Sequence, residues 1–246
     1  MSLPISAFNR AEDLTNFATE SLRGHLHRKG KVFYSGFETY RRASVIFLGY
    51  NPGGAGDELL AVRAKQIKEG FSNDYVDETW GDGRPNTLQT RARELFDALG
   101  FDLRKDVFTS NLYFQNTRSI ADTNTDDFKA FRPVCWPITN HILAAVPARV
   151  VICNGNKTFY DLLYWLDPEH ANQPGFYDAN DIYRFGKRGR VMSVQRTIHG
   201  RQFLIVGLPH LSWVAVAKKT EAVTPLKIII TNHLAEKAGA GDGATR

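Results

Sequence analysis

Two hydrophobic patterns alternate along the chain: short unbroken apolar runs, and longer stretches with apolar residues every three or four positions. The first kind predicts strands covered on both faces, the second amphipathic helices. Strands are predicted at Val45-Ile46-Phe47-Leu48, Asp106 to Phe114, Arg149 to Gly155 and Gln202 to Leu208, with Val191 to Ile198 as an extra candidate and Val32-Phe33-Tyr34 as a short extended piece. Helical spacing appears within Ala7 to Arg28 (Leu14, Phe17, Ala18, Leu22), Glu58 to Glu69, Thr87 to Leu99 with Gly100 as its stop, Thr158 to Leu166, and Pro225 to Lys237. Asp126 to Ala145 is also helical in pattern, but Pro133 and Pro137 predict a break or kink. Phe71 to Pro85 is irregular and aromatic, which suits a lid or pocket wall, and Pro168 to Gly189 is a long excursion. No internal repeat is present.

This alternation predicts an α/β fold: a three-layer α/β/α sandwich around a central, mainly parallel four-stranded sheet, in one domain over residues 1–237. Residues 238–246 are rich in Gly and Ala and read as a disordered tail, and Met1-Ser2-Leu3 has the look of a cloning remnant. Ligands of open parallel sheets bind beyond the carboxyl ends of the strands. Asn51, Asn111, Asn154 and His210 stand at those ends and are expected to converge on one crevice.

The first strand stops in Gly49-Tyr50-Asn51-Pro52-Gly53-Gly54-Ala55-Gly56, a loop that lets backbone approach a ligand closely. It is neither of the common phosphate-binding loops. Asp57-Glu58 stand where a Walker loop has Lys-Ser/Thr, and no third glycine completes G-x-G-x-x-G.

Among 246 residues, 43% are hydrophobic and 23% charged, ordinary values for a soluble globular protein. No apolar run approaches the roughly 18 residues of a membrane span, and no signal-peptide pattern opens the chain, so a cytoplasmic protein without membrane contact is expected. With Cys135 and Cys153 as the only cysteines, a disulfide framework and a four-cysteine iron–sulfur or zinc site are excluded within the chain. A net charge of +5 permits a polyanionic partner without demanding one; basic residues gather at Arg23 to Lys31, Arg41-Arg42, Lys187-Arg188-Arg190 and Lys218-Lys219.

Gly49-Tyr50-Asn51-Pro52-Gly53 together with Leu208-Pro209-His210-Leu211-Ser212 resembles the two signature motifs of the uracil-DNA glycosylase superfamily, the first in the Gly-x-Asn-Pro-Gly form of its mismatch-specific and single-strand-selective branches. Thr109-Ser110-Asn111-Leu112 looks like the strand whose Asn reads the base. Phe131 to Leu163, including Cys135-Trp136-Pro137 and Val150 to Gly155, is similar to that superfamily's helix and third strand, so the resemblance spans Val45 to Trp213. Two departures stand out: the second motif reads His-Leu-Ser in place of His-Pro-Ser, and the first carries Asn51 where some branches have Asp or Glu.

The resemblance implies a glycosylase fold and hydrolysis of the bond between a uracil-like base and its sugar, by a monomer acting on single-stranded DNA or on a duplex with a flipped base. It implies no cofactor and no metal, the cluster cysteines of some branches being missing. Asn51 would orient the attacking water and His210 would donate to a base oxygen as charge accumulates there. Asn111, Gly49 and Tyr50 would hold the base, with Phe71 or Trp80 stacking on it. Arg118, Ser119, Ser212 and Lys218 would meet the DNA backbone. Two alternatives stay open: a binding module that keeps the crevice without catalysis, and hydrolysis of free nucleosides.

Overall fold

Every residue of Val45–Gly49, Val107–Asn111 and Val150–Asn154 is buried, as strands covered on both faces require. The computed structural model describes residues 7–53, 57–80, 84–119 and 121–239, with the side chains of 188 and 237–239 undescribed. Gly54 and Gly56 of the first loop, the Met1-Ser2-Leu3 segment, the Arg188 side chain and residues 240–246 of the expected tail therefore lie outside the described residues. In chain order the elements are α1 (Ala11–Ser21), α2 (Phe37–Arg42), β1 (Val45–Gly49), α3 (Leu60–Arg63), α4 (Asp74–Asp77), α5 (Thr87–Leu99), β2 (Val107–Asn111), α6 (Asp126–Ala145), β3 (Val150–Asn154), α7 (Asn156–Leu166), β4 (Asn180–Arg184), β5 (Arg190–Ile198), β6 (Arg201–Leu208) and α8 (Thr220–Gly239).

Contacts group these elements into two compact units interleaved along the chain: residues 1–78 with 103–148, and residues 79–102 with 149–246. The fold is α/β, but the described residues form six strands, not the four expected. In the first unit β1 and β2 pair in parallel, Val45 opposite Val107 through Gly49 opposite Asn111. The second unit holds β3, β6, β5 and β4 in that order, with β3 and β6 parallel and the other two pairs antiparallel.

β5 is the extra strand that its apolar spacing suggests; β4 was unforeseen. It is a largely exposed edge with no apolar signature, carrying Asp181 and Arg184, and such charges keep an edge from pairing with another chain. The β5–β6 hairpin turns through His199 and Gly200 at φ 49° and 73°, the left-handed pair that a two-residue hairpin needs.

Other boundaries moved for local reasons. α6 runs unbroken past both prolines. Pro133 and Pro137 lie on its exposed face, as do Lys129 and Pro133, the residues whose carbonyls they deprive of a helical partner, so the lost bonds fall on the solvent side. The opposite face buries Phe128, Phe131, Cys135, Ile138 and Ile142. Glu58 to Glu69 keeps only four helical residues as α3, which starts at Leu60 because Leu59 is held extended by a bridge to Lys29. α8 continues through Ala238 and Gly239, the first two residues of the expected tail. No described helix is long and apolar enough to cross a membrane.

Candidate functional site

β1 and β2 end level, and two carboxamides stand there. Leaving β1, the chain is anchored by Tyr50, whose ring is buried edge-on against Tyr113 at 5.0 Å and beside Phe128 at 6.4 Å. What Tyr50 offers a ligand is therefore backbone. Asn51 follows, half-buried, its Nδ2 facing three acceptors: the Pro52 carbonyl at 2.8 Å, the Gln115 carbonyl at 3.2 Å and Thr117 Oγ1 at 2.8 Å. Those contacts fix which way the amide points. Oδ1 is turned away from them and accepts from no described residue, so it is placed to accept from a ligand or a water.

Asn111 closes β2 and is buried. Its Oδ1 would stand 2.1 Å from a Cβ at Gly49, so any side chain at 49 would displace it. The Asn111 side chain also hydrogen-bonds Tyr34, a phenol that burial raises far above its ordinary pKa. Tyr34 arrives because the extended piece from Gly30 to Ser35 is docked on the β2 segment. Lys31 N–H donates to the Phe114 carbonyl at 3.0 Å, Tyr34 N–H to Thr109 at 3.1 Å and Ser110 Oγ to the Val32 carbonyl at 2.7 Å. Gly30 has to be glycine, since a Cβ would meet the Phe114 oxygen at 1.9 Å.

Beside Tyr34 lies a cavity of about 400 Å³ in the same unit, walled by Lys31, Tyr34, Arg63, Lys68, Asp74 and Glu78. The first half of the irregular stretch, Ser72 to Glu78, supplies one wall. Asn73 fastens it: its Nδ2 donates to the Leu103 carbonyl and Thr109 Oγ1, both at 2.9 Å, and its Oδ1 caps α4. Lys31 pairs with buried Asp74 and, at 3.2 Å, with Glu78; Lys68 reaches the same two carboxylates at 3.2 and 3.5 Å. Burial pushes the Asp74 carboxyl above its usual range, with Lys31 partly offsetting it. Burial acts on Glu78 in the same sense, but Lys31 and Lys68 outweigh it and hold Glu78 below its ordinary value.

In the second unit, β3 and β6 end at Asn154 and the Pro209-His210 turn. Buried Asn154 accepts through Oδ1 from the Leu211 N–H at 2.9 Å. A proline at 211 has no N–H to give, which accounts physically for leucine there. Gly155 adopts φ 100°, a backbone that favours glycine, and packs beside the imidazole of His210, whose Cδ2 lies at ordinary contact distance, 3.6 Å, from where a Cβ would be. His210 Nδ1 accepts from the Ser212 N–H at 3.2 Å. The ring proton is thereby assigned to Nε2, and burial lowers the pKa, so the imidazole is a neutral donor at pH 7. No described residue accepts from Nε2. The ring of Trp213 stands 5.7 Å from that of His210 and is 66% exposed.

A scan against protein-family models finds no match, and a search of curated proteins finds no relative.

The remaining expected residues are spread over both units. In the first, Phe71 is exposed beneath the Arg42 guanidinium at 5.6 Å, and its partner there is Arg42, not either asparagine. Arg118 and Ser119 are exposed, and the Ser119 N–H donates to Asp122 at 2.9 Å. In the second unit Trp80 is half-buried, its backbone N–H on Gln89 Oε1 at 3.3 Å. Lys218 is exposed on a hollow of about 190 Å³ with Arg91, Thr87, Thr90 and Glu94, and Arg91 donates to the Leu211 carbonyl at 2.8 Å. Ser212 contributes the N–H that orients His210. Sequence reasoning missed Tyr34, Lys31, Asp74, Glu78 and Trp213. Only Trp213, next to the second motif, carried a local signal.

Proposed function

We propose that this chain is a DNA glycosylase of the uracil-DNA glycosylase kind, a three-layer α/β/α enzyme that hydrolyses the bond between an extruded base and its sugar. The observation that carries the reading is His210, a neutral, half-buried imidazole whose proton sits on Nε2 with no acceptor among the described residues. When the glycosidic bond breaks, its electron pair leaves with the base and positive charge develops on the sugar. A fixed neutral donor stabilises the charge on a base oxygen without first having to lose a proton. Asn51 Oδ1 accepts from the water that attacks the sugar carbon, orienting it without acting as a base. Asn111 presents a carboxamide edge at the neighbouring strand end, and exposed Trp213 offers a surface for a neighbouring base.

The test is incubation with single-stranded and mismatched oligonucleotides containing uracil, followed by alkali and a sizing gel. Wild-type protein should release the base, and Asn51→Ala and His210→Ala should each lower the rate on the order of 10²–10³-fold. Activity unchanged in the double variant would reject the roles assigned.

One observation favours a second reading, a module that binds nucleic acid without cleaving it: the Asn111 carboxamide is already hydrogen-bonded to Tyr34. That reading predicts base-selective, salt-sensitive binding and no strand scission after alkali.

A further inference from the structure

We infer that Arg91 is a positioning residue for His210: from α5 it holds the one peptide group whose opposite end orients the imidazole. The coupling itself stands on the geometry of the turn, and its chemical consequence rests on the reading above of His210 as donor to the leaving base. α5 belongs to the same compact unit as the second motif.

Two peptide groups make up the turn at His210. The first, between residues 210 and 211, is held at both ends by its surroundings. The His210 carbonyl accepts from the Trp213 N–H at 2.9 Å and the Val214 N–H at 3.2 Å, and the Leu211 N–H donates to buried Asn154 at 2.9 Å. The second, between 211 and 212, is held by two side chains. Its N–H, that of Ser212, donates to His210 Nδ1 at 3.2 Å, and its carbonyl, that of Leu211, accepts from Arg91 Nη1 at 2.8 Å. No described peptide bond is cis, so this carbonyl and this N–H point in opposite directions within one rigid plane. By fixing the oxygen, Arg91 fixes the line along which the N–H meets the ring.

The contact also polarises the peptide. A guanidinium is always charged, and a hydrogen bond from a charged donor is roughly twice as strong as a neutral one. Electron density drawn toward the Leu211 oxygen makes the Ser212 N–H a better donor, which favours the form of the ring with a bare Nδ1. α5 is able to present this side chain because Arg91 stands at the rim of its buried face, directly before Ala92 and one turn before Leu95 and Phe96. The other charged groups lining the hollow beside Arg91 are Glu94 and Lys218.

The experiment is NMR titration of the His210 ring, with amide exchange, on the full chain as wild type, Arg91→Met and Arg91→Lys; Glu94 and Lys218 stay unchanged throughout. A hydrogen bond of ordinary strength to the neutral ring is worth about fivefold in its protonation equilibrium, or about 0.7 pH unit. A bond donated to Nδ1 needs that nitrogen bare, so its loss raises the midpoint. Arg91→Met should move it up by about 0.5–1 pH unit, toward the ordinary histidine value, and Arg91→Lys, which keeps a charged donor, should stay closer to wild type. The Ser212 amide should exchange at least about fivefold faster in Arg91→Met, while the Leu211 amide, held by Asn154, keeps its protection. On single-stranded DNA containing uracil, Arg91→Met should lower kcat about fivefold at unchanged KM, and should add nothing in a His210→Ala background. If Arg91→Met fails to fold, Arg91→Gln, polar but shorter and uncharged, takes its place. An unmoved His210 midpoint, equal loss of protection at Leu211 and Ser212, or a raised KM at unchanged kcat would each overturn the inference, the last by making Arg91 a DNA contact. Its failure is separable from that of the glycosylase reading. A raised midpoint in a protein that releases no base leaves Arg91 its role and sinks the glycosylase; base release that His210→Ala abolishes and Arg91→Met leaves untouched, with the midpoint unmoved, sinks the role of Arg91 alone.

Discussion

Gly49→Ala tests the strand-end geometry most directly, because the added atom has one identifiable opponent. An ideal Cβ at 49 falls 2.1 Å from Asn111 Oδ1 and 3.3 Å from its Cγ, where about 3.5 Å is comfortable. Something has to move by more than about 1 Å. The backbone cannot, since Gly49 and Asn111 are register partners at the ends of two fully buried strands. The Asn111 side chain must therefore rotate away and give up its bond to Tyr34. Overpacking costs about 1–3 kcal/mol and the lost hydrogen bond about 1 kcal/mol. Replacing glycine returns about 0.4–1 kcal/mol by restricting the unfolded chain. The expected net loss is about 2 kcal/mol, read as a lower urea midpoint at unchanged slope. The diagnostic is the double variant with Asn111→Ala, in which the opponent is gone. There Gly49→Ala should cost nothing or stabilise slightly, a coupling of about 2 kcal/mol in the cycle. Additivity within about 0.5 kcal/mol would show that Asn111 does not press on Gly49 and would undo the strand-end arrangement.

Four further outcomes follow from the same contacts. Asn51→Asp replaces a donor to the Pro52 and Gln115 carbonyls with an acceptor, so it should destabilise by about 1–3 kcal/mol in denaturant and lower any base release instead of enhancing it. Leu211→Pro removes the N–H that satisfies buried Asn154 and should cost at least about 1–3 kcal/mol by the same measurement; unchanged stability would remove the explanation for leucine there. Trp213→Ala, 66% exposed, should leave stability within about 0.5 kcal/mol but weaken single-stranded DNA binding by about 1–3 kcal/mol in fluorescence titration. His141 is buried against Tyr40 with its pKa lowered to about 4, so the unfolded chain takes up a proton near pH 6.5 that the folded chain refuses. Its contribution is full above pH 6.5 and is lost as pH falls toward 4, by up to about 3 kcal/mol, and His141→Gln should flatten that part of the stability profile.

The elements legible in the sequence were those whose burial is written in a local run. β1 has no polar side chain, β2, β3 and β6 each contain an apolar run, and α5 carries both its capping box at Asn86 and Gln89 and its left-handed Gly100. β4 was invisible because an exposed edge needs no apolar residues. α6 looked broken because a pattern of prolines does not say which face they occupy; both prove to lie on the exposed one. For the candidate site the division is similar. Asn51, Asn111 and His210 could be picked out because each sits at the end of such a run. The cavity could not, since Lys31 and Asp74 are joined only when a segment with no periodicity of its own docks on β2. That docking depends on Gly30, Asn73 and Ser110, residues that read as ordinary loop formers.

The two positions at which the chain departs from the motifs it resembles have local causes that bear on the proposed mechanism. With asparagine at 51, Nδ2 is spent on tying the two strand-end loops together, which forces the oxygen outward; a carboxylate would repel the carbonyls that hold it. With leucine at 211, the backbone N–H fastens Asn154, and the following residue's N–H fixes the tautomer of His210. In each unit the loop's own hydrogen bonds decide what the side chain has left to offer: an acceptor at Asn51 and a neutral donor at His210. Neither group changes protonation near pH 7, so catalysis through them would depend on held dipoles. A base-release rate that follows no ionisation between about pH 6.5 and 8 is the expected signature, and a rate rising through that range with a single ionisation would point to a general base elsewhere.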